Sequence, residues 1–243
     1  MTYFARNFAI GTAVTAEERE NADAVYNLEA DSTEWVTEQI LLAREVEFAS
    51  AAMGTGKWTT DKTGGSDFTK WSSYASSDPI GDLRTYARTV RQITGKRPNV
   101  LCMGEIVWDR LADHPDIIER IKGAASPGNP AIATKQLVAS ILELEDVVVA
   151  DAVQVTSLEG ATEVRADIID DDALLVWRPQ RASLKQPSGG YGFFWQAMNG
   201  GGPHFIRRYE ESRERQTVIE AHSYFDYKIT AADSGLFMAD AVD

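Results

Sequence analysis

The sequence predicts an α+β fold, because helical and strand-like segments alternate along the chain around one long polar segment. Apolar residues recur at helical spacing within residues 31–53 and again within residues 79–95. The polar segment, residues 54–77, separates these two helices. Strand-like apolar runs follow at residues 100–103, 147–155 and 174–177, and extended segments close the chain at residues 218–219, 224–229 and 236–238.

Composition limits the classes of protein that fit. The chain has 243 residues, a formal net charge of -13, 44% apolar residues and 25% charged residues, which is typical of a folded globular protein. The acidic balance argues against nucleic acid as a direct partner over most of the surface. No apolar run approaches the roughly 20 residues that a membrane span needs, and no secretory signal is evident. The single cysteine, Cys102, excludes an internal disulfide and fits folding in a reducing cytosol.

The first third of the chain divides into an arm and a helix. Residues 1–30 are mixed and acidic, with few consecutive apolar positions, and we expect them to form an arm. Asp31, followed three residues later by Glu34, predicts a capping box at the start of the helix. Gly54 and Gly56 predict its end.

The polar segment 54–77 is too long for an ordinary connector, so it is either disordered or functional. Disordered linkers are poor in aromatic residues, whereas the segment 54–77 contains four. Aromatic side chains on a loop without its own core favour docking on another surface. We therefore expect contacts between subunits from the aromatic residues Trp58, Phe68, Trp71 and Tyr74 and from the lysines Lys57, Lys62 and Lys70.

Residues 79–95 carry the clearest local signals. Asp78 is a good N-cap, Pro79 suits the first helical position, and Gly95 predicts the end. One face is apolar and another is basic, through Arg84, Arg88 and Arg91. The basic stripe is either simply solvated, opposed to an acidic neighbour, or opposed to phosphate. We include these three arginines among the expected contacts between subunits.

Sites for catalysis or cofactors are poorly supported. Gly54 to Lys57 lacks the spacing and the hydroxyl of a phosphate-binding loop. Asp170, Asp171 and Asp172 could hold a metal in a hydrolase, but a solvated acidic turn is the stronger interpretation. The aromatic segment 189–195 could bind a small molecule, although a packed strand explains it equally well. We expect no enzyme activity, cofactor or metal.

Charge is segregated along the chain. Residues 143–172 hold ten acidic residues and one base, whereas residues 178–215 hold seven bases and three acidic residues. Such separation permits head-to-tail contacts between copies, which generate rings when they close. The alternative is that both regions only provide solubility.

The order of these segments resembles the tailed-phage major capsid proteins with the Hong Kong 97-like fold. The likeness spans nearly the whole chain and rests on an ordered set of short motifs. These are Trp71-Ser72, Ser77-Asp78-Pro79-Ile80, Thr94-Gly95, Pro98-Asn99, Gly104 with Val107, Leu111, His114-Pro115 and Ile117, and the strands near residues 147, 174–179 and 224–238.

The resemblance implies a division of labour among the segments. Residues 1–30 would be the N-terminal arm, residues 31–53 a helix and residues 54–78 the extended loop. Residues 79–105 and 180–243 would form the peripheral domain with its long spine helix, and residues 106–179 the axial domain.

The resemblance also implies the function. The chain would be the major capsid (head) protein of a tailed double-stranded DNA phage, self-assembling into hexamers and pentamers of an icosahedral shell. Its partners would be copies of itself, a separate scaffolding protein, the portal and a decoration protein, with DNA enclosed but not bound sequence-specifically. It would assemble in the bacterial cytoplasm and reside in the virion. An encapsulin-like nanocompartment shell is the nearest alternative, and a metal-dependent hydrolase the second.

Overall fold

A computed structural model describes residues 2–23, 26–124, 133–183 and 185–243. The helices are α1 (Ala16–Asn21), α2 (Leu28–Ala52), α3 (Pro79–Thr94), α4 (Glu105–Ala112), α5 (Pro115–Ala124) and α6 (Lys135–Leu142). The strands are β1 (Arg6–Thr15), β2 (Thr60–Thr63), β3 (Val100–Gly104), β4 (Asp146–Ala150), β5 (Val153–Val155), β6 (Arg165–Asp167), β7 (Ala173–Val176), β8 (Gly190–Phe194), β9 (Phe205–Glu211), β10 (Gln216–Ile229) and β11 (Gly235–Ala239). Among the described residues, no helix is long and apolar enough to cross a membrane.

The chain divides into two compact units. The first unit comprises Met1–Phe48 and Gly192–Lys228, and the second comprises Ala49–Tyr191 and Ile229–Asp243. The α+β class is confirmed, but the units do not follow the predicted division at residue 106, since β3 and α4 lie in the same unit. The assignment of peripheral and axial domains stays a prediction about positions in a shell.

The first unit is built on β10. Strand β1 pairs antiparallel with it over its whole length, from Arg6 opposite Phe225 to Thr15 opposite Gln216. Strands β9 and β8 pair with its other edge. Alternate residues of β10 are buried, as expected for a strand with one covered face. The apolar pattern alone predicts two shorter extended segments here, because polar Ser223 interrupts it on the buried face.

Helix α2 covers the buried face of this sheet. Val36 and Ile40 form a small core with Ile219 and Ala221, and Phe8 packs against it. Strand β1, within the expected arm of residues 1–30, is therefore paired inside its own unit, and a role of this arm on a neighbouring copy stays a prediction. The side chains of β1 alternate between the core and solvent, a period of two that the sparse apolar residues of this segment hid.

The start of α2 also differs from the prediction. The helix begins at Leu28, where the Asn27 side chain accepts a hydrogen bond from the Ala30 N–H at 3.2 Å. Asp31 lies inside the first turn, so the predicted capping box is wrong. A capping box does form at the start of the preceding helix α1, where Thr15 is the N-cap and bonds reciprocally with Glu18.

The second unit is built on a five-stranded sheet in the order β2-β11-β7-β3-β4. Strand β3 is buried along its whole length and pairs parallel with β4 and antiparallel with β7. Helix α3 confirms the local prediction, since the Asp78 carboxylate accepts from the Gly81 N–H at 2.8 Å and Gly95 ends the helix with φ 72°. Its apolar stripe, including Leu83 and Val90, is buried in the same core as β3.

Candidate assembly surfaces

The predicted docking aromatics are mostly core residues. Trp58, Phe68 and Trp71 are 6%, 7% and 0% exposed. The indole Nε1 of Trp58 donates to the Ala52 carbonyl at 2.7 Å. These three side chains therefore cannot be surface anchors, and that prediction is wrong. The segment 54–77 packs against its own unit, because these aromatic side chains are buried there.

Trp71 shows how this segment is held. Its indole Nε1 donates to the Asp82 carboxylate at 3.3 Å, and its backbone N–H donates to the Ala241 carbonyl at 2.8 Å. Phe68 lies between Trp71 and Tyr86, with ring centroids at 5.8 and 6.1 Å. The segment is thus tied both to α3 and to the end of the chain.

Tyr74 is the exception among the four aromatics. It is 36% exposed, and its ring meets the His114 ring edge-on with centroids 5.5 Å apart. A contact of Tyr74 with another copy stays a prediction.

Each of the three lysines has a partner within the chain. The Lys57 ammonium donates to the carbonyls of Ser50 and Met53 at the end of α2, and burial lowers its pKa. Lys62 pairs with Asp67 at 2.9 Å. Lys70 pairs with Asp243 at 2.8 Å, a hydrogen bond that raises its pKa. These bonds hold the segment 54–77 to other parts of its own chain. A contact with another subunit stays a prediction for all three lysines.

The arginines of α3 divide into one held residue and two open ones. Arg84 donates to the Ile141 carbonyl at 3.2 Å and lies 3.9 Å from Glu143. Arg88 and Arg91 are exposed, and neither forms an ion pair with any residue that the structure describes. Arg88 and Arg91 are therefore the predicted contact residues that remain best placed to meet another molecule.

Buried Ser77 and His114 form a polar pair beside α3. His114 Nε2 lies 3.0 Å from Ser77 Oγ, and the Asp116 N–H donates to Nδ1 at 3.3 Å. Because Nδ1 accepts, the ring proton sits on Nε2, and Ser77 donates onward to the Ser73 carbonyl at 2.9 Å. Burial lowers the pKa of His114 against the opposing charges of Asp116 and Asp78. The histidine therefore donates to the serine, which is the reverse of nucleophile activation.

The aspartates at residues 170–172 form an acidic turn. Burial, then the neighbouring Asp171 charge, raises the pKa of Asp172 to about 6. Burial and Asp240 raise the pKa of Asp171 as well. In the part of the chain that the structure describes, no group of three His, Cys, Asp or Glu side chains is arranged to hold a metal ion.

One surface cluster is not evident from the sequence. On the solvent face of the first sheet, Tyr209 Oη donates to Glu220 at 2.8 Å, and His222 Nε2 lies 3.2 Å from the same carboxylate. The Tyr209 bond is the largest contribution that lowers the pKa of Glu220. Arg207 lies over the Tyr209 ring at 5.1 Å. In the sequence these residues appear only as polar residues at alternate positions of β9 and β10. The sequence does not predict that these two strands pair.

The acidic and basic stretches meet where Arg178 pairs with Asp146 at 3.7 Å. The acidic stretch includes the small β5–β6 sheet and the turn between its strands, where the apolar side chains Val155 and Leu158 are 55% and 84% exposed. Much of the basic stretch lies on β9 and the turn after it, where Arg208 pairs with Glu29 at 2.8 Å. Exposed apolar side chains beside charged groups are typical of surfaces that meet other proteins.

Comparison with known proteins defines the class. The sequence profile described as phage major capsid protein E matches residues 19–225, so the chain belongs to that family. A curated relative, the major capsid protein of Burkholderia phage BcepMu, is 25% identical over 222 residues, covering 91% of this chain and 69% of the relative. Membership of this family implies a structural role, located in the virion capsid.

Solved structures support the same fold. A phage-related protein from Bordetella bronchiseptica is 24% identical, with a TM-score of 0.77 over 98% of this chain and 77% of that one. The capsid of cyanophage P-SCSP1u is 9% identical, with a TM-score of 0.61 over 99% and 73%. The SrpI encapsulin of Synechococcus elongatus is 11% identical, with a TM-score of 0.59 over 99% and 75%. The chain therefore has the Hong Kong 97-like fold, which phage capsid and encapsulin proteins share.

Proposed function

We propose that this chain forms the icosahedral head of a tailed double-stranded DNA phage by assembling into hexamers and pentamers. The family match over residues 19–225 carries this proposal. Within each ring, the acidic stretch of one copy faces the basic stretch of the next. Contacts of this head-to-tail kind close into rings and give the copies a defined orientation.

The same proposal implies three further protein partners. A scaffolding protein would guide the curvature of the shell, a portal would occupy one vertex, and a decoration protein would bind outside. Assembly would take place in the bacterial cytoplasm. Packaged DNA would be enclosed without sequence-specific contacts, which agrees with a net charge of -13.

The encapsulin alternative is less favoured, because the fold is shared but the matching family is that of phage capsid proteins. The contents of assembled particles separate the two functions. We would express the chain with the neighbouring genes of its own genome, purify particles, and assay nuclease-protected DNA and co-purifying protein. Protected double-stranded DNA supports the phage head, whereas an enclosed enzyme without DNA supports the nanocompartment.

A further inference from the structure

Strand β1 has an open edge. One side of it pairs with β10 along ten residues, and within the described residues no strand pairs with the other side. The pairing is one-to-one throughout, so no bulge twists the edge away. An exposed and regular strand edge is a ready template for a strand from another chain.

The hydrogen-bonding groups on this edge can be assigned. The Ala16 N–H donates to the Arg215 carbonyl at 2.9 Å, one step beyond the ladder. Bonded and non-bonded pairs alternate in antiparallel sheets, so the even residues of β1 bond to β10. The odd residues therefore point their N–H and C=O groups outward. At one end of the edge, the Thr15 N–H donates to the Glu18 carboxylate at 2.9 Å and is not available to another strand. The open edge thus consists of Asn7, Ala9, Gly11 and Ala13.

The outer strands β1 and β9 differ in how their edges are protected. Strand β9 carries charged side chains at Arg207, Arg208, Glu210 and Glu211. Charges of this kind discourage edge-to-edge pairing. Strand β1 has no charged residue and no proline from Asn7 to Thr15. Strand β1 is therefore better suited than β9 to accept a partner strand.

An exposed aromatic side chain lies on the same side of α2 as this edge. Leu28 and Ser32 of α2 line a groove of about 740 Å³ together with Ala13 and Val14. Trp35 follows Leu28 by seven residues, or two helical turns, so it continues the same stripe. It is 45% exposed. A strand added beside β1 would cover Trp35 as well as the backbone edge.

We propose that this edge is a self-association surface on which β1 of a second copy pairs antiparallel about a two-fold axis. This inference rests on the proposed function, which requires repeated self-association. The edge is self-complementary: with Asn7 opposite Ala13 and Ala9 opposite Gly11, every outward donor and acceptor finds a partner.

Proline at outward positions tests the edge directly. Proline removes a donor that β10 does not use, so the fold should tolerate it on an edge strand. We would compare Ala9→Pro/Ala13→Pro with Ala9→Ser/Ala13→Ser by sedimentation velocity of the full chain. The serine variant should associate as the wild type does, and the proline variant more than about tenfold more weakly. Equal association of the two variants, or a folded wild-type chain that stays monomeric, overturns the proposal.

A cysteine experiment covers the case in which the proline variant unfolds. Native Cys102 is buried, so introduced thiols dominate. Mixing Asn7→Cys with Ala13→Cys protein under mild oxidation should give the mixed disulfide in excess over both homodimers. Absence of that excess contradicts the pairing.

Shell formation separates this inference from the proposed function. Shells formed equally well by the proline variant would remove the edge pairing and leave the capsid function intact. Failure of both the wild type and the serine variant to form shells with a scaffold would remove the function itself.

Discussion

The imidazole Nε2 of His114 lies 3.0 Å from the Ser77 hydroxyl, with the histidine fully buried and Nδ1 already accepting from the Asp116 backbone. A neutral ring satisfies both partners, and a protonated ring would lose the Asp116 bond. The pair therefore holds the start of α5 against the segment before α3, and it makes that junction sensitive to acid.

Stability should fall on mild acidification because of His114. Burial lowers its folded pKa below the 6.5 of an unfolded chain. Its contribution is thus fully present above pH 6.5 and is lost as pH falls through the folded pKa. We expect His114→Gln to lose less free energy of unfolding than the wild type between pH 7 and pH 5, measured by denaturant titration.

The difference between the two proteins isolates this effect from other groups. Asp172, with its pKa raised to about 6, titrates in the same pH range, and its effect on stability has the opposite sign. Because Asp172 is present in both the wild type and His114→Gln, its effect cancels in the difference. Parallel pH profiles for the wild type and His114→Gln would contradict the assignment.

Trp71→Ala should destabilise the fold rather than only impair assembly. Trp71 is fully buried and bonded to Asp82. Truncating a buried tryptophan costs about 3–5 kcal/mol. Tyr74→Ala, three residues later and 36% exposed, is the matched control and should cost less than about 1.5 kcal/mol. Equal unfolding free energies for the two variants would restore the docking role of Trp71.

Gly235→Ala should displace Trp58. A Cβ at Gly235 would lie 2.3 Å from the Trp58 ring, so the ring or β11 must shift. We expect a loss of at least about 1–3 kcal/mol on thermal unfolding. Gly202→Ala is the control, because a Cβ there meets its nearest atom, a carbonyl oxygen, at 3.4 Å. A Gly235→Ala protein as stable as Gly202→Ala would show that the ring has room to move.

Arg88→Ala/Arg91→Ala should leave folding unchanged and reduce assembly. Both side chains are exposed on α3, and surface changes of this kind stay within about 0.5 kcal/mol. Loss of a contact with an acidic neighbour would lower the yield of particles, most strongly at low salt. Gln92→Ala, next to Arg91 and exposed on the same helix, is the uncharged control. Unchanged particle yield at all salt concentrations would assign the arginines to simple solvation.

The sequence predicted the elements that local rules decide. Asp78, Pro79 and Gly95 define α3 without help from the rest of the chain, and the apolar run at Val100 defines β3. Such local rules do not predict that Trp58 is buried. Its pocket depends on the lack of side chains at Gly189 and Gly235, both more than a hundred residues away.

The candidate surfaces show the same limit. Exposed Arg88 and Arg91 follow from helical spacing, whereas the open edge of β1 depends on its pairing with β10, two hundred residues later. Pairing between strands so distant in sequence leaves no local signal, particularly where small residues such as Ala9 and Gly11 weaken the alternation.

The measurement that tests the central claim most directly is negative-stain electron microscopy of the purified chain, expressed alone and with candidate scaffold genes. The capsid function predicts closed shells or capsomer rings of megadalton mass. A folded chain that stays monomeric under every condition, scaffold included, would contradict it.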